Sequence, residues 1–397
     1  MGRSVSDDVS LPSPSLPEST SSWPLPKLVA HLCLLKVLAW WLVVFVAHRS
    51  EVRQDYTDFL YLETGDLPEW RLSEVRRDFF LRLTPYDGQY YLDVAKNGYR
   101  RFGERERRVF PRVPQGNFAF FPLYPTLIQA ASVLPWDVTI TMFVLNGIFS
   151  VLGSLGLWKL AERFGLPAWP CVILIEAFPT SIFRTFLYTE SLFLALSVWA
   201  FLFLLQRRFV GAALLGALCG MLRPQGILVA ALLFPWSRKR EDYTLRSLFP
   251  AFGPVLGLAT FSLILYGQIG DPLGFISVQK DWGREASLGG GILDLFRNYD
   301  WPPFDRFGAL FAIVLLPFGW KRLPLPLTIF AVASVALPFA TGTLLSMGRF
   351  ISVSFPHFLV AAFLLRDRPR TLVFVIAISL AWNALLLRAL LEWRLVG

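Results

Sequence analysis

The stretch "NFAFFPLYPTLIQAASVL" (117–134) decides how the chain is threaded. It is apolar and nearly as long as the roughly 20 residues that cross a hydrocarbon core. Pro122 and Pro125 interrupt it, and an interior proline removes a backbone donor and clashes with the preceding turn. Counting it as a crossing would move Lys159 and Arg163 to the side opposite the other basic loops. Short cytoplasmic loops carry an excess of Lys and Arg, so that arrangement is disfavoured. The segment is therefore expected to form a partial helix that dips in from the outer face, where non-helical backbone is tolerated if it lines a cavity. A full crossing is the alternative.

Outward from this segment the chain is a series of apolar runs, at 27–47, 138–162, 167–186, 190–206, 209–222, 226–236, 247–268, 306–320, 324–345, 349–365 and 371–391. The runs 209–222 and 226–236 are short and meet at "RPQG" (223–226), as half-spanning helices or one broken helix. Of the 397 residues 54% are hydrophobic and only 17% charged, against about 25% in soluble domains. The class is an all-α polytopic membrane protein. Its net charge of +9 does not call for nucleic acid, because the basic residues sit in short loops where they set topology. These are Lys159/Arg163, Arg207/Arg208, "SRKR" (237–240), Lys321/Arg322 and "RDRPR" (366–370). All five fall on one side, read as cytoplasmic. Residues 1–26, with eight Ser and five Pro, read as a disordered cytoplasmic tail, and 27–397 as one membrane domain. Two hydrophilic loops face outward, 48–117 and 269–305. Three cysteines in apolar runs and three scattered histidines show no metal spacing.

This threading brings Asp87, "YTES" (188–191), Arg223, "GDP" (270–272) and Arg349 to the outer side, as a cleft would require. In "TPYDGQYYLDVAKNGY" (84–99) Asp87 begins a helix that ends at Gly98. Tyr90, Tyr91 and Val94 share its face at helical spacing, and Asp93 points elsewhere. Asp is also a favoured N-cap, and that reading competes with a catalytic one. Glu176 and Glu190 lie within or at the end of apolar runs, where ionisable groups are costly and face a cavity or a partner; Glu190 also suits a helix cap. Arg223 and Arg349 offer forked guanidinium groups suited to a phosphate, with snorkelling as the plain reading of Arg349. Asp271 lies in a turn. Gln279 and Trp282, spaced i, i+3, fit either a sugar contact or an interfacial anchor. No nucleotide-binding, serine-hydrolase or zinc-peptidase motif occurs.

Taken in order, "YDGQYYLDVAKNGY", "NFAFFPLYP", "FPTSIFRTFLYTES", "RPQG", "GDPLGF" with the following Gln and Trp, and "SMGRF" with the following "FP" resemble the PIG-V family. This family belongs to the GT-C superfamily of multispan glycosyltransferases. The resemblance covers roughly 28–365. It implies a GT-C-like bundle of about eleven transmembrane helices and a hexosyltransferase that moves a sugar, usually mannose, from a polyprenyl-phosphate donor with inversion. The implied partners are that lipid donor and a glycan or lipid acceptor. The essential carboxylate of the first external loop maps onto Asp87. Tyr86 stands where eukaryotic members have Trp. "RPQG" and "SMGR" look more like the bacterial branch, which implies a bacterial cytoplasmic membrane, a site on its external face and an acceptor other than a GPI anchor. On this reading Arg349 and Arg223 hold the donor phosphate, while Tyr90, Tyr91, Glu190, Asp271, Gln279 and Trp282 line the sugar or acceptor pocket. No cofactor is required, though a divalent metal is compatible. A transporter or flippase of a lipid-linked sugar is the rival, suited by Glu176 and the broken hairpin.

Overall fold

A computed structural model describes residues 25–49, 84–103, 114–236, 243–287, 289–296 and 304–391. Most of the N-terminal tail, most of the 48–117 loop and the "SRKR" cluster lie outside these residues. The described chain is helical, with two isolated β-bridges and no strand. In order the helices are α1 (Leu25–Arg49), α2 (Asp87–Asn97), α3 (Leu123–Ala131), α4 (Val138–Arg163), α5 (Ala168–Ala177), α6 (Glu190–Leu205), α7 (Phe209–Gly220) and α8 (Val229–Leu233). They continue as α9 (Leu245–Ile269), α10 (Gly274–Ser277), α11 (Gly290–Asp294), α12 (Phe304–Trp320), α13 (Leu325–Phe339), α14 (Met347–Ile351), α15 (Phe355–Leu365) and α16 (Pro369–Leu391). Among the described residues three helices, α4, α9 and α16, are long and apolar enough to cross a membrane. Several shorter apolar helices accompany them.

The segment at 117–134 forms a helix only over Leu123–Ala131. Its nine residues rise about 14 Å, less than half of a hydrocarbon core about 30 Å thick. Pro122 holds its N-terminal end and Tyr124, Pro125 and Ile128 are buried against the bundle.

Proline also corrects three of the expected runs. The run 167–186 is not one helix. Phe178 precedes Pro179 and is extended (φ −53°, ψ 140°), as steric clash with a following proline dictates, and a 3₁₀ turn over Pro179–Arg184 follows. The run 324–345 ends at Phe339, one residue after Pro338. The run 349–365 is split at Ser352–Ser354 into α14 and α15, with Pro356 in the first turn of α15.

Helix contacts fix the directions. Gly153 and Gly156 of α4 meet Leu194 and Val198 of α6, so these two run parallel. Phe178 meets Phe358 and Thr180 donates to the Gly348 carbonyl, which sets α5 antiparallel to α15. Arg163 reaches the Leu205 carbonyl, and Arg322 and Arg366 both lie over Phe363. The basic turns after α4, α6, α12 and α15 thus share one end of the bundle, as their sequence pattern predicts.

Helices α7 and α9 also run parallel, through a seam of small residues. A Cβ on Gly253 would sit 2.2 Å from the Ala213 carbonyl oxygen, and one on Gly257 2.0 Å from that of Ala217. Only glycine permits so close a backbone approach, the usual means of joining helices where no hydrophobic effect drives them together. Gly257→Ala is expected to destabilise the protein by about 1–3 kcal/mol through overpacking. Gly267→Ala, where a Cβ meets nothing within 4 Å, is expected to be neutral or stabilising by about 0.5–1 kcal/mol. Thermal unfolding in detergent distinguishes the two.

Candidate functional site

Four of the sequence-predicted residues meet at the end of the bundle opposite the basic turns. Asp87 is the first residue of α2, Glu190 the first of α6, Arg349 lies in the five-residue α14, and Arg223 caps the 3₁₀ turn Pro224–Leu228. Arg349 donates from Nη1 to Asp87 Oδ2 at 2.8 Å. It donates from Nε and Nη2 to Glu190 Oε1 at 3.1 and 3.0 Å. Arg223 Nη1 lies 3.4 Å from the same Glu190 oxygen, and its Nε donates to Gln225. The Glu190 side chain is 0% exposed and that of Asp87 27%, so Asp87 is the carboxylate that solvent reaches.

Three competing sequence readings are corrected here. Asp87 is not an N-cap: Tyr86 holds that position and no side chain caps the helix. Arg349 does not snorkel, because it is buried between the rings of Phe183 and Tyr188, 4.8 and 4.5 Å from their centroids. Glu190 likewise spends its side chain on two arginines, while Thr189 takes the cap position.

The backbone around these side chains is strained. Tyr86 and Ser346 are non-glycine residues at φ 49° and 66°, a conformation that costs of order 1–3 kcal/mol and persists only when the surroundings enforce it. Tyr188 provides one restraint by donating to the Pro85 carbonyl at 3.0 Å. Asp305 provides the other, accepting the backbone N–H groups of Ser346 and Gly348 at 2.9 and 2.8 Å. Both strained residues therefore aim a charged side chain, Asp87 or Arg349, at the same point.

An aromatic wall flanks the ion pairs. Tyr90 stacks on Phe120 with ring centres 4.7 Å apart, and Trp282 stands edge-on to both. Tyr91 packs against Phe120 and Tyr124. Burial, reinforced by the nearby Asp87 charge, pushes the Tyr90 and Tyr91 hydroxyls up, so both stay protonated at neutral pH. Asn146 ties the wall to the ion pairs: it donates to the Tyr124 hydroxyl and the Phe186 carbonyl, and accepts from Ser191 beside Glu190.

Two predicted pocket residues have local partners. Asp271 folds back on the Leu273 N–H and lies 3.8 Å from Arg101, so it shapes an exposed turn. Gln279 accepts from Arg284 at 2.9 Å and donates to the Phe275 carbonyl. Arg284 escaped the sequence reading. It lies over Phe350, and its Nη2 is 3.4 Å from Ser346 Oγ. Desolvation pulls its guanidinium down to about 10, opposed first by Asp87, and it remains cationic near pH 7. The site thus gathers three guanidinium groups around two carboxylates. Among the described residues no three or more His, Cys, Asp or Glu side chains cluster as a metal site would require.

A second charged cluster lies apart from the first. Glu176 pairs with Lys36 at 2.6 Å and Arg184 at 3.5 Å, and accepts from Ser150 and Ser154. It joins α1, α4, α5 and the 3₁₀ turn after α5.

No protein-family model matches the chain, and no curated protein or solved structure matches it either.

Removing one partner of a buried ion pair leaves an uncompensated charge at about 3–5 kcal/mol. Arg349→Gln is expected to lose this much, while Glu190→Gln/Arg349→Gln is expected to lose less than the sum of its single variants. A double-mutant cycle read by thermal unfolding checks this, with a coupling of about 0.5–3 kcal/mol expected.

Proposed function

We propose that the protein is a multispan membrane glycosyltransferase of the GT-C type, related to the PIG-V family, that transfers a sugar from a polyprenyl-phosphate donor to an acceptor hydroxyl. The observation that carries this reading is the contact between a partly exposed carboxylate, Asp87, and a cluster of arginines at the end opposite the basic turns. The order of sequence motifs shared with the PIG-V family supports it independently.

The chemistry follows from those groups. The acceptor oxygen attacks the anomeric carbon while the bond from that carbon to the phosphate oxygen breaks. The configuration inverts, and the electron pair leaves with the polyprenyl phosphate. Asp87 takes the acceptor's proton. Negative charge grows on the departing phosphate, where pre-oriented cations in a site shielded from water stabilise it most. Arg349, Arg223 and Arg284 are the cations at hand. Arg349 donates to Asp87 Oδ2 in the resting protein, which occupies one oxygen of the carboxylate. A donor phosphate competing for Arg349 frees Asp87 when the substrate is in place. Tyr90, Phe120 and Trp282 offer ring faces and edges for the sugar. The apolar exterior of the bundle accommodates the polyprenyl chain, and eleven crossings with the site on the external face of a bacterial membrane complete the reading.

Asp87→Asn keeps the shape and can still accept from Arg349, but it cannot take a proton. It is expected to lower the rate of sugar transfer about 10²–10⁴-fold with little change in thermal midpoint. The assay follows labelled polyprenyl-phosphate-mannose in membranes containing each protein. A wild type that never cleaves the donor, yet moves it across the bilayer, would establish the transporter reading, which the broken hairpin at 209–236 suits.

A further inference from the structure

The parallel packing of α7 and α9 brings their N-terminal ends together, and a hollow of about 490 Å³ opens between them. Arg207, Arg208 and Arg246 line it, with Phe209, Leu245 and Phe249. The Arg246 guanidinium lies over the Phe209 ring and that of Arg208 over Phe203. Aromatic faces hold these two cations in place, yet among the described residues no carboxylate pairs with Arg207, Arg208 or Arg246. Three positive charges at one hollow repel one another unless an anion joins them. Beside them the apolar surface continues along the groove between the helices, where Val210 and Leu214 of α7 and Phe249 of α9 are exposed. Leu245, beside Arg246, is 90% exposed.

We propose that this hollow binds the head group of an anionic phospholipid, with its acyl chains running along that groove. Charge complementarity selects an anionic head group, and the continuous apolar wall beside the arginines selects a lipid over a free anion. Basic pockets between helices at a membrane surface bind such head groups. The hollow lies at the end of α7 remote from Arg223, about 18 Å away along a helix of twelve residues. The inference rests on the membrane location of the protein and not on its enzymatic activity, so a failed transfer assay leaves it standing.

The test uses the full-length protein in neutral detergent, titrated with short-chain phosphatidylglycerol, short-chain phosphatidylcholine or inorganic phosphate. Thermal midpoint and native mass spectrometry are the readouts. Phosphatidylglycerol is expected to raise the midpoint and to be retained as a bound lipid, and the other two probes are not. Arg208→Gln and Arg246→Gln are each expected to weaken phosphatidylglycerol binding about fivefold, and together about 25-fold. Arg366→Gln/Arg368→Gln, at another basic turn, is expected to leave it unchanged. An equal response to inorganic phosphate would make this a free-anion site and overturn the proposal. So would an equal response to phosphatidylcholine, which would mark an apolar groove alone, or equal weakening by the control pair, which would mark general surface charge.

Discussion

A guanidinium shielded from water must find its partners inside the protein. Arg349 is buried and meets two carboxylates, one at the start of α2 and one at the start of α6. Arg349 lies 159 residues from Glu190 and 262 from Asp87 in the chain, and the structure around them is arranged to let them touch. The five-residue helix that carries Arg349 begins at a strained serine fastened by Asp305. The helix that carries Asp87 begins after a strained tyrosine, next to a proline fastened by Tyr188. Strain of this kind is sustained only when its surroundings over-determine it, and here the ion pairs and the restraints support each other.

Glu176 and Glu190 obey one rule with different results. Glu176 takes two cations and two serine hydroxyls, so all of its capacity is used and it serves as a junction between helices. Glu190 also takes two cations, but both contact a single oxygen, and Oε2 has no hydrogen-bond partner among the described residues. A saturated cluster resists rearrangement. A cluster with capacity left over can exchange partners, and that separates a structural group from one suited to bind and release a substrate.

Much of the site was legible because ionisable residues in apolar surroundings are costly and therefore conspicuous. Glu190, Arg223 and Arg349 each stood out on that ground, Asp87 stood out as the carboxylate heading an aromatic helix face, and the proline pair in 117–134 marked a helix too short to cross. Pairwise commitments were not legible. Nothing in the local sequence ties Lys36 to Glu176, which lie 140 residues apart, or Asp305 to the segment before Arg349. Arg284 sits in a polar loop where charge is unremarkable. The break after Ala177 falls inside continuous apolar sequence, where hydrophobicity alone draws one long helix and only Pro179 signals otherwise.

The separation of Glu190 from Arg349 also has a meaning in time. The chain emerges from the ribosome in order, at about 5–20 residues per second, so Glu190 waits roughly 8–32 s for Arg349, 159 residues later. Over that interval a bare carboxylate at the head of an apolar helix would oppose insertion. Arg223 is made much sooner and ends 3.4 Å from the same oxygen. It is placed to serve as the interim counter-ion, holding α6 and the α7–α8 hairpin together until the last third of the chain brings the arginine that completes the site.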